Sequence, residues 1–313
     1  MAVGKTKKIE LFVHTARRDL DSSRDCKDAD KLCRRTVIAV QSALSRNSSG
    51  YWPLLAKEFL EQQIVTHEAI RSLNRTHYKG DGLMADSYSL LREQVERVFA
   101  TAYITRVGDE ACQRFLIDSW FKCAFEMTVQ EIELEQTGMF TMNFDSQRQL
   151  LEILAKANGL PDDQLSRVRK VVDSGDVPGP NDQFPMPGQI REMLAGSDIG
   201  RVLRRAYAEY ARLCGCTHSG MSKFILRGMH QKRSGALDLT QLGPIRQAVD
   251  RVLSESEVYV ALSCAVALHG CGSDVDALMA VEAMWGEIEP TSMIATAYWK
   301  LGVENLLPKS VAV

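Results

Sequence analysis

Apolar residues recur every three or four positions along most of this chain, the spacing that lines one face of an α-helix. In "ADKLCRRTVIAVQSALS" the pattern predicts a helix over Ala29–Ser45, closed by the polar run "RNSSG". The same period returns over Tyr51–Arg75, where Pro53 suits a first turn, and over Leu83–Arg106 after the turn "YKGDG". A further long helix is predicted over Asp109–Gln136, with Gly108 as the break and Asp109 as a cap. Shorter helices are expected over Asp145–Asn158 and Pro161–Asp173. Four of the nine prolines fall in "SGDVPGPNDQFPMPGQ", which predicts a loop over 174–189, with Phe184 and Met186 as residues that could dock it. Beyond it the pattern predicts helices over Gly200–Leu213, Pro244–Leu268, Asp274–Trp285 and Thr291–Val303. Alternating strand patterns are nearly absent, "KFILRG" being the one exception, and no repeat of fixed period occurs. The predicted fold class is all-α.

Composition narrows the picture a little. With 313 residues, 45% hydrophobic and 25% charged, the chain suits one sizeable core or two modest lobes. Eight dispersed cysteines, with no signal-like apolar segment in "MAVGKTKKIELF", point to reduced thiols and a cytoplasmic location. The run "VYVALSCAVALHGC" is shorter than the roughly 20 residues a membrane span needs, so no membrane association is expected.

Charge changes it more. Residues 201–233 hold eight basic side chains against one acid, Glu209, a local balance of +7. Since the whole chain carries −2, the remainder sums to −9. Such asymmetry suits a polyanion, or a basic surface paired with the chain's own acidic segment "EMTVQEIELEQ". Within the basic stretch, Val202, Leu203, Ala206, Tyr207, Tyr210 and Leu213 form one helical face, and Arg201, Arg205 and Arg212 lie on the other.

The end of that helix, "YARLCGCTHSG", concentrates the candidate chemistry. Cys214, Cys216 and His218 would bind zinc only with a fourth ligand from elsewhere, and buried thiols at a tight helix end are the simpler reading. No metal and no cofactor is expected. Cys264 and Cys271 are expected in the core, and His269 is expected to satisfy the last carbonyls of its helix. Arg212 and His218 are a different matter. Histidine can move a proton at a ribose hydroxyl near neutral pH, and arginine can hold the developing phosphorane charge. Arg92 and Glu96 share a helix face, either as a simple ion pair or as supports for such a site. His14, His67, His77 and His230 have no partner at a telling spacing.

The arginine-x(4–6)-histidine spacing resembles the signature of the HEPN superfamily, small helical bundles that are often dimeric. Leu90-Leu91-Arg92-x-x-x-Glu96 and Tyr207-x-x-Tyr210-x-x-Leu213-Cys214-x-x-x-His218-Ser219 also resemble a bacterial helical family of unknown function. The resemblance covers Met84 to His218. It implies a HEPN-like bundle over 81–235, flanked by an N-terminal helical region over 1–80 and a C-terminal helical extension over 236–313. It further implies a metal-independent endoribonuclease of a bacterial defence or toxin system. His218 would transfer the proton and Arg212 stabilise the transition state. Arg201, Arg205, Lys223 and Arg227 would grip RNA phosphates, and Arg92, Glu96 and Tyr210 would support the site. Because one histidine serves one proton transfer at a time, a homodimer sharing two copies of the motif is expected, with a companion defence or antitoxin protein possible as partner. The alternative is a non-catalytic helical module that binds a protein partner or dimerises.

Overall fold

The computed structural model describes residues 26–77, 84–138, 183–217, 242–272 and 274–307, with isolated positions between 149 and 166. Among them the regular structure is helical and no strand occurs. In chain order the helices are α1 (Cys26–Asn47), α2 (Trp52–His77), α3 (Met84–Val107), α4 (Asp109–Thr137), α5 (Pro187–Met193), α6 (Asp198–Thr217), α7 (Leu242–Cys271), α8 (Val275–Ile288) and α9 (Met293–Lys300). Short 3-10 turns follow at Glu289–Thr291 and Val303–Leu306.

The chain divides into two compact units. The larger comprises residues up to Arg106 together with those from Pro187 onward, and the smaller comprises Val107–Met186. In the larger unit α7 is the central element, packed against α1, α2, α8, α9 and the turn at Val303–Leu306. Its sequence explains this position: Val258 to Leu268 is an almost unbroken run of small and branched apolar residues, so every face of the helix can be covered. Residues 251–271 are long and apolar enough to cross a membrane, more than the short apolar run alone suggests. Yet 89% of that window is buried inside the protein, as a core helix would be. Gly270 lets the end of α7 pass close to α3, since a Cβ there would fall 1.8 Å from the Thr105 methyl group.

The core is not purely apolar. Gln63 of α2 donates to the Gln94 carbonyl (2.9 Å) and to Ser263 Oγ of α7 (2.7 Å), while Gln94 Nε2 donates back to the Gln63 carbonyl (3.2 Å). These reciprocal bonds fix the register of α2, α3 and α7, because a one-turn slip would leave buried amides unpaired. Helix starts follow ordinary capping chemistry. The Asp274 carboxylate accepts the Ala277 N–H at 3.1 Å and Arg46 Nη2 at 2.7 Å, and these bonds hold its pKa below the ordinary carboxylate value.

In the smaller unit, α4 begins after Gly108, whose φ of 80° supplies the expected break. Phe184 packs edge-on against Phe115 with centroids 5.2 Å apart, whereas Met186, expected to dock with it, is largely exposed. Helix α5 begins at Pro187, inside the segment read from sequence as loop; proline at a first helical turn needs no N–H and so starts it readily. The helices expected over Asp145–Asn158 and Pro161–Asp173, and the segment "KFILRG", lie outside the described residues apart from isolated positions.

Candidate functional site

Helix α6 carries the arginine face. Ser197 starts it, its Oγ accepting the Gly200 N–H at 3.0 Å, and Asp198 places a carboxylate on the positive end of the helix dipole. Val202, Leu203, Ala206 and Leu213 are buried as their spacing predicts. Tyr207 and Tyr210 form a cluster with Phe99 of α3, with ring centroids 6.0 to 6.5 Å apart. Arg191 of α5 stacks on Tyr207 at 4.2 Å and Arg92 of α3 lies over Tyr210 at 5.9 Å, both within cation–π range. Tyr210 is pushed up to about 12 by burial and by a hydrogen bond with Cys214.

The opposite side of α6 meets α7 through a ladder of alternating charges. Arg205 Nη2 donates to Glu209 Oε1 (3.1 Å), and Arg212 Nε donates to Glu209 Oε2 (2.8 Å). Arg212 Nη2 then donates to Glu255 Oε2 of α7 (2.6 Å), and Arg251 Nε to Glu255 Oε1 (2.7 Å). The carboxylates lie at the bottom, Glu255 fully buried and Glu209 nearly so, while the arginine side chains remain 31–53% exposed. Burial opposes the charge on Arg212, but Glu255 and Glu209 outweigh it and leave its pKa raised. Its guanidinium also lies 5.8 Å from the Tyr88 ring.

Arg212 and Arg205 share the ladder, and exposed Arg201 pairs with Asp198 one turn away. Arg92 and Glu96 form a partly exposed ion pair at 2.9 Å, alongside Tyr210. His218, Lys223 and Arg227 lie outside the described residues, as does the Cys216 side chain. Cys214 is half-buried, and no group of three potential metal ligands occurs among the described residues. Cys264 and Cys271 are buried in the core as expected. His269, expected to satisfy the last carbonyls of its own helix, instead has Nδ1 3.0 Å from the Leu306 carbonyl and ties α7 to the turn at Val303–Leu306.

Among the described residues the acids that meet the α6 arginines are Asp198, Glu209 and Glu255, on α6 and α7. Reasoning from sequence missed Glu255 and Arg251 as participants. A signal existed in the i, i+4 spacing of Arg251 and Glu255 and of Arg205 and Glu209, but only packing shows the two pairs joined through Arg212.

A second polar cluster was also missed. Buried His67 of α2 places Nδ1 2.8 Å from Ser256 Oγ on α7 and Nε2 3.2 Å from Asp30 Oδ1 on α1, and Arg71 also pairs with Asp30. Burial lowers the His67 pKa below its usual 6.5, against the opposing charges of Glu257 and Glu68. The unfolded chain therefore binds more protons just below that value, and stability should fall as the pH drops through it. Urea midpoints measured from pH 7.5 to 5.0 should show this loss in the wild type and a weaker one in His67→Gln.

Comparison with family models, curated proteins and solved structures found no match to this chain.

Proposed function

We propose that this chain is an RNA-binding protein that grips phosphate groups through the arginine face of α6 and the adjoining turn of α7. The observation that supports it is the ladder itself. Three guanidiniums are held by two carboxylates lying beneath them, which leaves one net positive charge and presents partly exposed donors already fixed in orientation. Guanidinium forks suit phosphate oxygens, and prior orientation lowers the entropy lost on binding. Arg201 and Arg204, both exposed on the same helix, extend the basic surface.

RNA affinity should fall steeply between 50 and 200 mM salt, with the slope of log K against log salt reduced in Arg204→Ala and Arg251→Ala. Binding that is flat with salt, or absent at low salt, would remove the reading.

Cleavage by Arg212 with His218 is the more specific form of this proposal, and the defence or toxin setting rests on the resemblance alone. Arg212 is suited to orient a phosphate, but Nε and Nη2 are taken by carboxylates, so its remaining donors would have to serve the transition state. RNA integrity in cells expressing the wild type beside His218→Ala decides the point. A dimer built on α6 would have to pair the arginine face, because the apolar face is consumed inside the protomer.

The second reading, a non-catalytic module for a protein partner, is favoured by exposed Val275 and Met279, one turn apart on α8. Loss of an isolated partner on Met279→Glu, with RNA binding absent, would select it.

A further inference from the structure

Close to the arginine ladder lie buried polar atoms that no described residue satisfies. Tyr259, one turn beyond Glu255 on α7, and Tyr298 on α9 are both fully buried, and neither hydroxyl has a hydrogen-bond partner among the described residues. The buried Nε of Arg205 is likewise unpaired. These groups belong to one place in the fold. Helix α7 packs against α9 and the turn at Val303–Leu306, α6 packs against that same turn, and both tyrosines lie in the fields of Glu209 and Glu255. Of the eleven buried polar side-chain atoms without a partner among the described residues, three gather at this one ion-pair cluster, and an occupant shared among them would satisfy all three.

The chemistry of the lining selects its kind. All four carboxylate oxygens of Glu209 and Glu255 already accept an arginine N–H, so the cluster has little left to offer a cation. What remains is one Nε–H and two hydroxyls able to donate, beside a net charge of +1. We propose that these donors and the ladder above them form a seat for a single oxyanion group, with phosphate as its natural occupant. The guanidiniums are partly exposed while the hydroxyls are buried, so the anion enters from the arginine side. This deepens the RNA-binding reading by locating one phosphate contact, and it rests on that reading for the source of the phosphate.

The test is thermal unfolding of the full chain in inorganic phosphate against sodium chloride of equal ionic strength. At tenfold excess over Kd, phosphate should raise Tm by roughly 3 °C in the wild type. The rise should vanish in the Tyr259→Phe/Tyr298→Phe double variant, with helical content unchanged. Should that variant fail to fold, Arg205→Lys serves instead, since it keeps the charge and removes the Nε–H. No rise above chloride, or an equal rise in wild type and variants, overturns the seat and leaves water to satisfy the donors. A short RNA oligonucleotide distinguishes the sources. RNA binding weakened by the same substitutions assigns the seat to a backbone phosphate. A lost phosphate response with RNA binding unchanged keeps the seat and assigns it to a small phosphorylated ligand. Absence of RNA binding to the wild type at low salt removes the RNA-binding reading, whereas loss of the phosphate response in the variants is read independently of it and supports the seat alone.

Discussion

Glu255→Gln should destabilise the protein by about 3 kcal/mol, the low end of the range for breaking a buried ion pair. Glu255 is fully buried and accepts from both Arg212 and Arg251, so the neutral amide leaves Arg212 half-buried with one carboxylate instead of two. The partial exposure of both arginines keeps the loss from being larger. Arg251→Ala should cost no more than about 1 kcal/mol, because Arg251 is half-exposed and solvent can replace much of its interaction. Replacing Arg212 and Glu255 together by apolar residues of similar volume should recover much of the loss, since no buried charge then stands alone. Urea titrations with unchanged m values would verify the order. Equal effects of Glu255→Gln and Arg251→Ala would show that the ladder is not a stability element.

Gly200→Ala and Gly286→Ala should move stability in opposite directions although both glycines lie in helices. At Gly200 a Cβ would fall 2.0 Å from the Leu194 carbonyl oxygen, a backbone atom that cannot turn aside. The expected loss is about 3 kcal/mol, the upper part of the usual overpacking range, and it exceeds the propensity gain of at most about 1 kcal/mol. At Gly286 the space is open, so only propensity remains and alanine should stabilise by about 0.5 kcal/mol. Thermal melts of the two variants would check this. On the RNA-binding function proposed above, Gly200→Ala should also weaken RNA affinity, because the α5–α6 turn sets the direction in which the α6 arginines point.

Much of the helical organisation was legible in advance. The three-to-four residue period placed α1, α2, α3, α6 and α7 within a few residues of where they lie, because a helix must bury one face and that demand is written locally. The proline at the start of α5 carries no such period, and a seven-residue helix is too short to show one. The apolar half of α6 was equally plain, with Val202, Leu203, Ala206 and Leu213 all buried. Its charged half was not. Arg201, Arg205 and Arg212 read as one basic face suited to either a polyanion or the chain's own acidic segment, whereas two of the three rest on buried glutamates of α6 and α7.

By itself, then, the sequence determined the helical class, the helix break at Gly108, and the concentration of arginine on one side of α6. Each depends on residues within a turn or two of one another. Only the tertiary structure decided that Glu255, 43 residues beyond Arg212, would neutralise it. The same holds for His67, set between α1 and α7, and for Tyr259 and Tyr298, both fully buried within the fields of Glu209 and Glu255. Local spacing cannot carry such information, because the partner of a buried charge is fixed by which helices pack together. Burial also gives the pairing its energetic weight, since the same arginine and glutamate in water would attract each other only weakly.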